Sequence, residues 1–188
     1  VYGGVAGDVM GQDCQEMRAL HDLDETVLDE ELTRAMTPFS QKSGDVTALR
    51  NRLQDVMWED VGVMRDADGL QRGLKRIAEI DDELSSVGVT ADNLAFNLSW
   101  HDWLNLRSLI DMSMVIAKAA LSRENSRGAH FREDFPDAGA MQESYFTLAS
   151  GYGDAISVTR APVQFTIVKP GETLLGEDEA ETLIKAAQ

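Results

Sequence analysis

The chain has 188 residues, a length that suits one domain or one domain with an appendage. With 43% hydrophobic and 27% charged residues it can bury a core beneath a solvated surface, which excludes a disordered acidic tail. Asp and Glu total 33 against 17 Lys and Arg, and the resulting charge of -16 repels nucleic-acid phosphates and anionic lipid headgroups.

The same field would not attract a dicarboxylate, so such a substrate would need a local basic pocket. Cys14 is the single cysteine, which rules out an intrachain disulfide and is compatible with a reducing compartment. His21, His101 and His130 are scattered, and no familiar zinc or iron–sulfur spacing can be assembled from them, so no metal ligand is expected. No apolar run reaches the roughly 18 residues of a membrane-spanning helix, and direct membrane insertion is not expected.

Taken in chain order, Val1 to about residue 18 is a small-residue segment that reads as the middle of an element of a longer protein, without a signal-peptide pattern. Gly3, Gly4, Ala6 and Gly7 would let a helix lie close to a neighbour. An acidic stretch follows, with a short helix near 25–36 ended by Pro38. Lys42, Ser43 and Gly44 read as a linker before a helix start at Asp45. Val46, Leu49, Leu53, Val56 and Met57, then Met64, recur at helical steps to about 65–67. A second stripe runs through Leu70, Leu74, Ile77, Ile80 and Leu84, with Asp68 as N-cap, Gln71 in capping-box position and Gly88 as the stop.

The third stripe is Trp103, Leu106, Ile110, Met114, Ala117 and Leu121, with Ser99 and Asp102 as its capping signal. Leu109, Met112 and Ile116 widen it, which predicts burial on more than one side. Three long helices with short connections pack most simply as an antiparallel up-down-up bundle. Beyond residue 123 the period shortens: Tyr145–Ala149 and Ala155–Thr159 read as a hairpin across Gly151, Gly153 and Asp154, and Val163–Val168 as a further strand. From Gly176 an acidic tail shows no more than a short helix.

The motifs divide unevenly between chemistry and structure. Gly3-Gly4-Val5-Ala6-Gly7 follows no predicted strand and lacks an acid about 20 positions on, so it is not the dinucleotide-binding fingerprint. His101, between Trp100 and Trp103, has no partner fixed by the sequence and reads as structural, with the tryptophans as core or interface anchors. Residues 122–136 are different, concentrating Arg123, Arg127, His130 and Arg132 just after the third helix, with Gly128 free to end it. Arg127, His130 and Arg132 could clasp carboxylates or carbonyls. Two readings stand: an anion or substrate site, or a polar latch docking the loop against another domain.

Ser126-Arg127-Gly128-Ala129-His130-Phe131-Arg132-Glu133-Asp134-Phe135-Pro136 resembles the S-R-G-A-H-x-R-x-D-F/Y-P stretch of fumarate reductase and succinate dehydrogenase flavoprotein subunits. In the same order, Met57 followed by Gly62-Val63-Met64-Arg65 is similar to that family's Met and Gly-Val-x-Arg pattern, and the helix from Gly69 to Leu84 resembles its counterpart. Val1-Tyr2-Gly3-Gly4-Val5-Ala6-Gly7 resembles its V-F-G-x-x-A-G helix. L-aspartate oxidase shares much of the motif with Leu where Ala129 stands here, and Asn125 occupies a position where Glu is commonest.

The resemblance implies the C-terminal helical domain of an FAD-dependent enzyme interconverting succinate and fumarate, by hydride transfer between the dicarboxylate and the flavin with an arginine as proton donor. It places the flavin- and substrate-binding residues before the equivalent of Val1, so no catalytic or cofactor-binding residue carries over to this chain. The isolated chain is therefore expected to bind no FAD and to be inactive. Arg127, His130 and Arg132 are expected at an interface, with the flavin-binding domain of the same polypeptide as partner and an iron–sulfur subunit as a second candidate. The implied location is cytoplasmic, or peripheral at the inner membrane through partner subunits. The expected fold is mainly α: residues 1–42 are the end of a flavin-domain helix plus an acidic linker, 43–136 a three-helix bundle with the SRGAH loop, and 137–188 a small β region and tail. The alternatives are the same domain of L-aspartate oxidase and a stand-alone helical interaction module.

Overall fold

The computed structural model describes residues 2–17, 24–151 and 155–172, and the chain divides into two compact units, Val1–Thr37 and Pro38–Gln188. The first carries helix α1 (Tyr2–Glu16) and helix α2 (Glu25–Met36). Asp24 caps α2 by accepting from the Thr26 N–H at 3.0 Å. α2 buries none of its residues. A Cβ at Gly3, Gly4 or Gly7 would meet open space, so close packing at these glycines is not made among the described residues.

The second unit is built on α3 (Val46–Glu59), α4 (Ala67–Leu84) and α5 (Leu98–Ser122). Each turns one apolar stripe inward: Leu49, Leu53 and Val56 from α3, Leu70, Ile77, Ile80 and Leu84 from α4, and Trp103, Leu106, Ile110, Ala117 and Ala120 from α5. These steps of three and four residues keep one face of each helix in the core, and each large side chain buried contributes about 1.5–3 kcal/mol. The ion pairs show the directions. Arg52, midway along α3, meets Glu83 at the end of α4, while Arg76, midway along α4, reaches Glu59 at the end of α3. Arg107, early in α5, meets Asp81, late in α4. The bundle is therefore antiparallel, up-down-up, as expected. Asp60, just past α3, is buried and held by Arg72 and Arg76, each at 2.7 Å.

The helix ends correct several expectations. Asp45 caps α3 as predicted, but α3 stops at Glu59 rather than at 65–67. The cap of α4 is Asp66, accepting from Gly69 N–H at 2.7 Å, with Asp68 inside the first turn. α4 ends at Leu84, with Ser85 rather than Gly88 as its C-cap. The cap of α5 is Asn97, accepting from Trp100 N–H at 3.0 Å; Ser99 donates to Asn97 at 2.7 Å instead of capping.

Short parallel pairs lace the helix ends together. The expected linker at Lys42–Ser43 is strand β1, pairing with β3 (Val87–Gly88). A Cβ on Gly88 would lie 2.3 Å from the Gln41 carbonyl oxygen, so only glycine permits this approach. β2 (Met64–Arg65) pairs with β4 (Phe131–Arg132). The expected hairpin is present as β5 (Tyr145–Ser150) against β6 (Ser157–Pro162) and packs beside α5, where Lys118 donates to the Ile156 carbonyl at 3.3 Å. The run 163–168 is not a strand, and the acidic tail from Gly176 lies outside the described residues.

Candidate functional site: the latch at the helix ends

Residues 122–136 close the bundle where the C-terminus of α5 meets the N-terminus of α4. An isolated helix leaves its last carbonyls without partners and carries partial negative charge there. Here the latch supplies the missing donors. Arg132 is 1% exposed, and its Nη1 donates to the carbonyls of Ala120 and Leu121, each at 3.0 Å, and of Arg123 at 3.3 Å. Arg160 of β6 donates to the Ser122 carbonyl.

The other edge of the Arg132 guanidinium grips Asp134 through Nε and Nη2, both at 2.7 Å, a bidentate pair. Asp134 in turn accepts from the N–H of Ala67, the first residue of α4, at 3.0 Å. One ion pair thus sets a cation at the negative end of α5 and an anion at the positive end of α4, both favourable to the helix dipoles. The hydrogen bonds from Arg132 hold the Asp134 carboxyl down from its ordinary value, 3.8, to about 2, and Asp134 raises the Arg132 guanidinium.

The loop is shaped by its backbone. Arg127 and His130 exchange N–H···O bonds at 2.9 and 3.1 Å, and Gly128 between them takes φ +57°, a left-handed value that favours glycine. The β2–β4 pairing brings Arg65 beside this turn, with Glu133 N–H donating to the Arg65 carbonyl at 2.7 Å. Nη1 of Arg65 lies 2.7 Å from His130 Nδ1. Arg65 has only donors, so Nδ1 is the acceptor and the ring is neutral with its proton on Nε2, which faces the Arg123 carbonyl at 3.2 Å. Burial pushes the His130 pKa below its ordinary value. The bond to the Arg123 carbonyl opposes this, and the charges of Arg65, Arg123 and Arg132 add to the lowering.

Arg127 is occupied within the chain, donating to the carbonyls of Ala138 and Ala140 and to Ser144 Oγ. Arg123 donates Nε to Asn125 Oδ1 at 3.1 Å and Nη1 to Thr147 Oγ1 at 3.2 Å. It also stacks on Tyr145, its guanidinium carbon 4.8 Å from the ring centre, and that ring also carries Arg160 at 4.7 Å. The structure thus gathers Arg127, His130 and Arg132 into one loop whose polar atoms secure the chain's own backbone.

Sequence reasoning missed Arg65 as the partner of His130 and Arg160 as a cap of α5. No local signal reveals either, since both arrive through strand pairing. The Arg132–Asp134 pair was missed as well: Asp134 lies in the turn just past β4, which folds its carboxylate back onto the guanidinium. Trp103 is buried with Nε1 donating to the Val87 carbonyl at 2.8 Å, and Trp100 meets Phe39 edge-on at 5.2 Å. His101 is exposed, its Nδ1 3.0 Å from Asn105 Nδ2. Among the described residues no group of three or more His, Cys, Asp or Glu side chains could hold a metal ion, and no helix is long and apolar enough to cross a membrane.

The family model described as fumarate reductase flavoprotein C-term matches residues 50–174, which span the bundle, the latch and the hairpin. A FAD-dependent oxidoreductase of Methanocaldococcus jannaschii is 30% identical over 71% of this chain and 24% of its own length. A fumarate reductase flavoprotein subunit of Haemophilus influenzae is 26% identical over 100% of this chain and 32% of its own length. Among solved structures, the Mycobacterium smegmatis Sdh1 complex with UQ1 superposes with a TM-score of 0.68 at 28% identity, covering 89% of this chain and 29% of that one. The chain therefore spans 24–32% of the length of these relatives.

Proposed function

This chain belongs to the family of fumarate reductase flavoprotein C-terminal domains, and from that premise we propose that it braces the flavin-binding part of an FAD-dependent succinate/fumarate oxidoreductase without catalysing alone. The observation that carries the reading is the use to which the latch puts its charges. Arg127 and Arg132, the residues best suited to clasp a carboxylate substrate, direct their donors to carbonyls, to Ser144 and to Asp134 of the same chain. A latch that ties two helix ends and a hairpin is the construction of a rigid support.

Residues 2–17 supply no phosphate-binding turn for a flavin nucleotide. Gly3, Gly4 and Gly7 lie within α1, where no strand leads into a phosphate-binding turn among residues 2–17. FAD, which would accept hydride in the full-length protein, is accordingly assigned to the part outside this chain. The dicarboxylate is assigned there too. An iron–sulfur subunit is the proposed second partner, and attachment to a membrane would come through such subunits.

The test is made on the chain and on its full-length parent. The parent is expected to purify with flavin absorbance and to reduce a dye with succinate, whereas the chain mixed with FAD retains none after gel filtration. Retention of FAD by the chain, or turnover by it, overturns the bracing role. A parent that oxidises aspartate in preference to succinate assigns the domain to the L-aspartate oxidase branch, and a parent without flavin leaves a stand-alone interaction module.

A further inference from the structure

The end of the bundle where α3 stops, α4 begins and α5 finishes has a second face, turned away from the latch arginines. The β2–β4 pairing sets Met64 against Phe131 and Arg65 against Arg132. Side chains alternate along a strand, so the two pairs point to opposite sides. Arg132 is buried and Arg65 half-buried, which turns Met64 and Phe131 outward. The last turn of α3 carries Trp58 at the same end, and Val63 leads into β2. Trp58 is 83% exposed, Val63 68%, Met64 65% and Phe131 38%.

The charges left facing solvent at this end are acidic. Asp55 precedes Trp58 by about one helical turn, Asp68 lies in the first turn of α4, and Glu133 follows Arg132 just past β4. All three are exposed, and none enters an ion pair among the described residues. The arginines nearby are matched within the chain: Arg72 and Arg76 by Asp60 and Glu59, and Arg132 by Asp134.

An apolar centre of Trp, Met and Phe inside a charged rim is the composition of a protein-binding surface. We propose that this patch seats a separate polypeptide whose contacting segment carries apolar side chains flanked by Lys or Arg. The proposal goes beyond the bracing role and does not depend on it. Charge complementarity selects the occupant. Nucleic acid and anionic lipid meet the acidic rim with repulsion, and so does a second copy of a chain of charge -16. Met64, Phe131 and Glu133 also stand where the Gly-Val-x-Arg and S-R-G-A-H-x-R-x-D patterns leave the residue open. The flavin-binding part must be seated by every member of the family, and a seat in common would use residues that those patterns specify. Strand pairing, pinned from behind by the Arg132–Asp134 fork, holds the patch in place before any partner arrives.

The test puts p-benzoylphenylalanine in place of Trp58 in the full-length parent and irradiates the cells that produce it. Mass spectrometry identifies what becomes joined to that position. The adduct is expected on a separate polypeptide, within a peptide of net positive charge. Asp55→Lys with Glu133→Lys is expected to lower its yield about tenfold, and Asp55→Asn with Glu133→Gln by less. Asp29→Lys with Glu30→Lys, an equal change of charge placed on α2, is expected to leave the yield unchanged. These positions are exposed, so each pair should leave the melting temperature of the chain within about 2 °C. An adduct within the parent's own chain, on a second copy or on lipid overturns the proposal, as does the absence of any adduct. A neutral or acidic crosslinked peptide overturns it too. So does a yield that falls equally in the two Lys pairs, or in neither.

Discussion

Replacing Arg132 by Met would leave the Ala120 and Leu121 carbonyls without their donor and Asp134 without its cation, while keeping most of the side-chain volume. Removing one partner of a buried pair costs about 3 kcal/mol, and the expected fall in melting temperature is roughly 6–12 °C. Arg132→Lys keeps the charge but cannot form the fork, so it should fall between wild type and Met in a thermal denaturation series. Two residues of the latch also make stability depend on pH. His130 is neutral in the fold with its pKa lowered, so below about pH 6.5 the unfolded chain takes up a proton that the folded chain refuses. Stability should therefore decline as the pH drops through that region, and His130→Gln should flatten the decline. Asp134, lowered from 3.8 to about 2, adds stability that is present above pH 3.8 and disappears as the pH approaches 2. Urea midpoints measured between pH 8 and pH 2 separate the two, because H130Q affects only the higher window.

At the scale of elements, helix existence and helix boundaries have different causes. The stripes of α3, α4 and α5 were legible because burying an apolar face requires a 3.6-residue period wherever the helix lies. Their caps were less so. Asp66 and Asp68 are locally equivalent candidates, and the choice is made by β2: pairing of Arg65 with Arg132 carries extended backbone into Asp66, at φ -139° and ψ 168°, so the helix starts at Ala67. Asp66→Ala should then lower stability by about 1 kcal/mol, and Asp68→Ala by a few tenths at most, a difference measurable by denaturant titration. Asn97 became the cap of α5 for a similar reason. Its Nδ2 ties the carbonyls of Ala91 and Asn93, each at 2.9 Å, and so fixes the loop that delivers it. Gly88 was visible as a breaker, but its role at the β1–β3 crossing depends on a carbonyl 47 positions earlier, that of Gln41.

For the whole molecule, the core cluster belongs entirely to residues after Pro38, and α2 contributes nothing buried. Deleting residues 1–37 should therefore leave the melting temperature within about 2 °C of the intact chain, with the helical circular dichroism of the bundle retained. A fall of about 10 °C would show that the first unit supports the second. The stripe of Leu109, Met112 and Ile116, expected to be buried and yet exposed, teaches the complementary lesson. Its apolar character was plain in the residues, but apolar character alone does not say whether a surface is covered within the same chain or by another part of the protein.

Three helices, their order and their inward faces were determined by the residues themselves, because local periodicity and the hydrophobic effect act on any segment wherever it lies. The likeness of residues 126–136 to a known flavoprotein family was also readable there, and the match over 50–174 agrees with it. Tertiary structure alone decided what that segment does: whether its arginines face a ligand or the chain's own helix ends. That depended on β2 meeting β4 and β6 lying beside α5, contacts between residues tens of positions apart. No local rule ranks such pairings, since many would satisfy the same hydrogen-bonding groups, and only simultaneous packing of the three helices selects one.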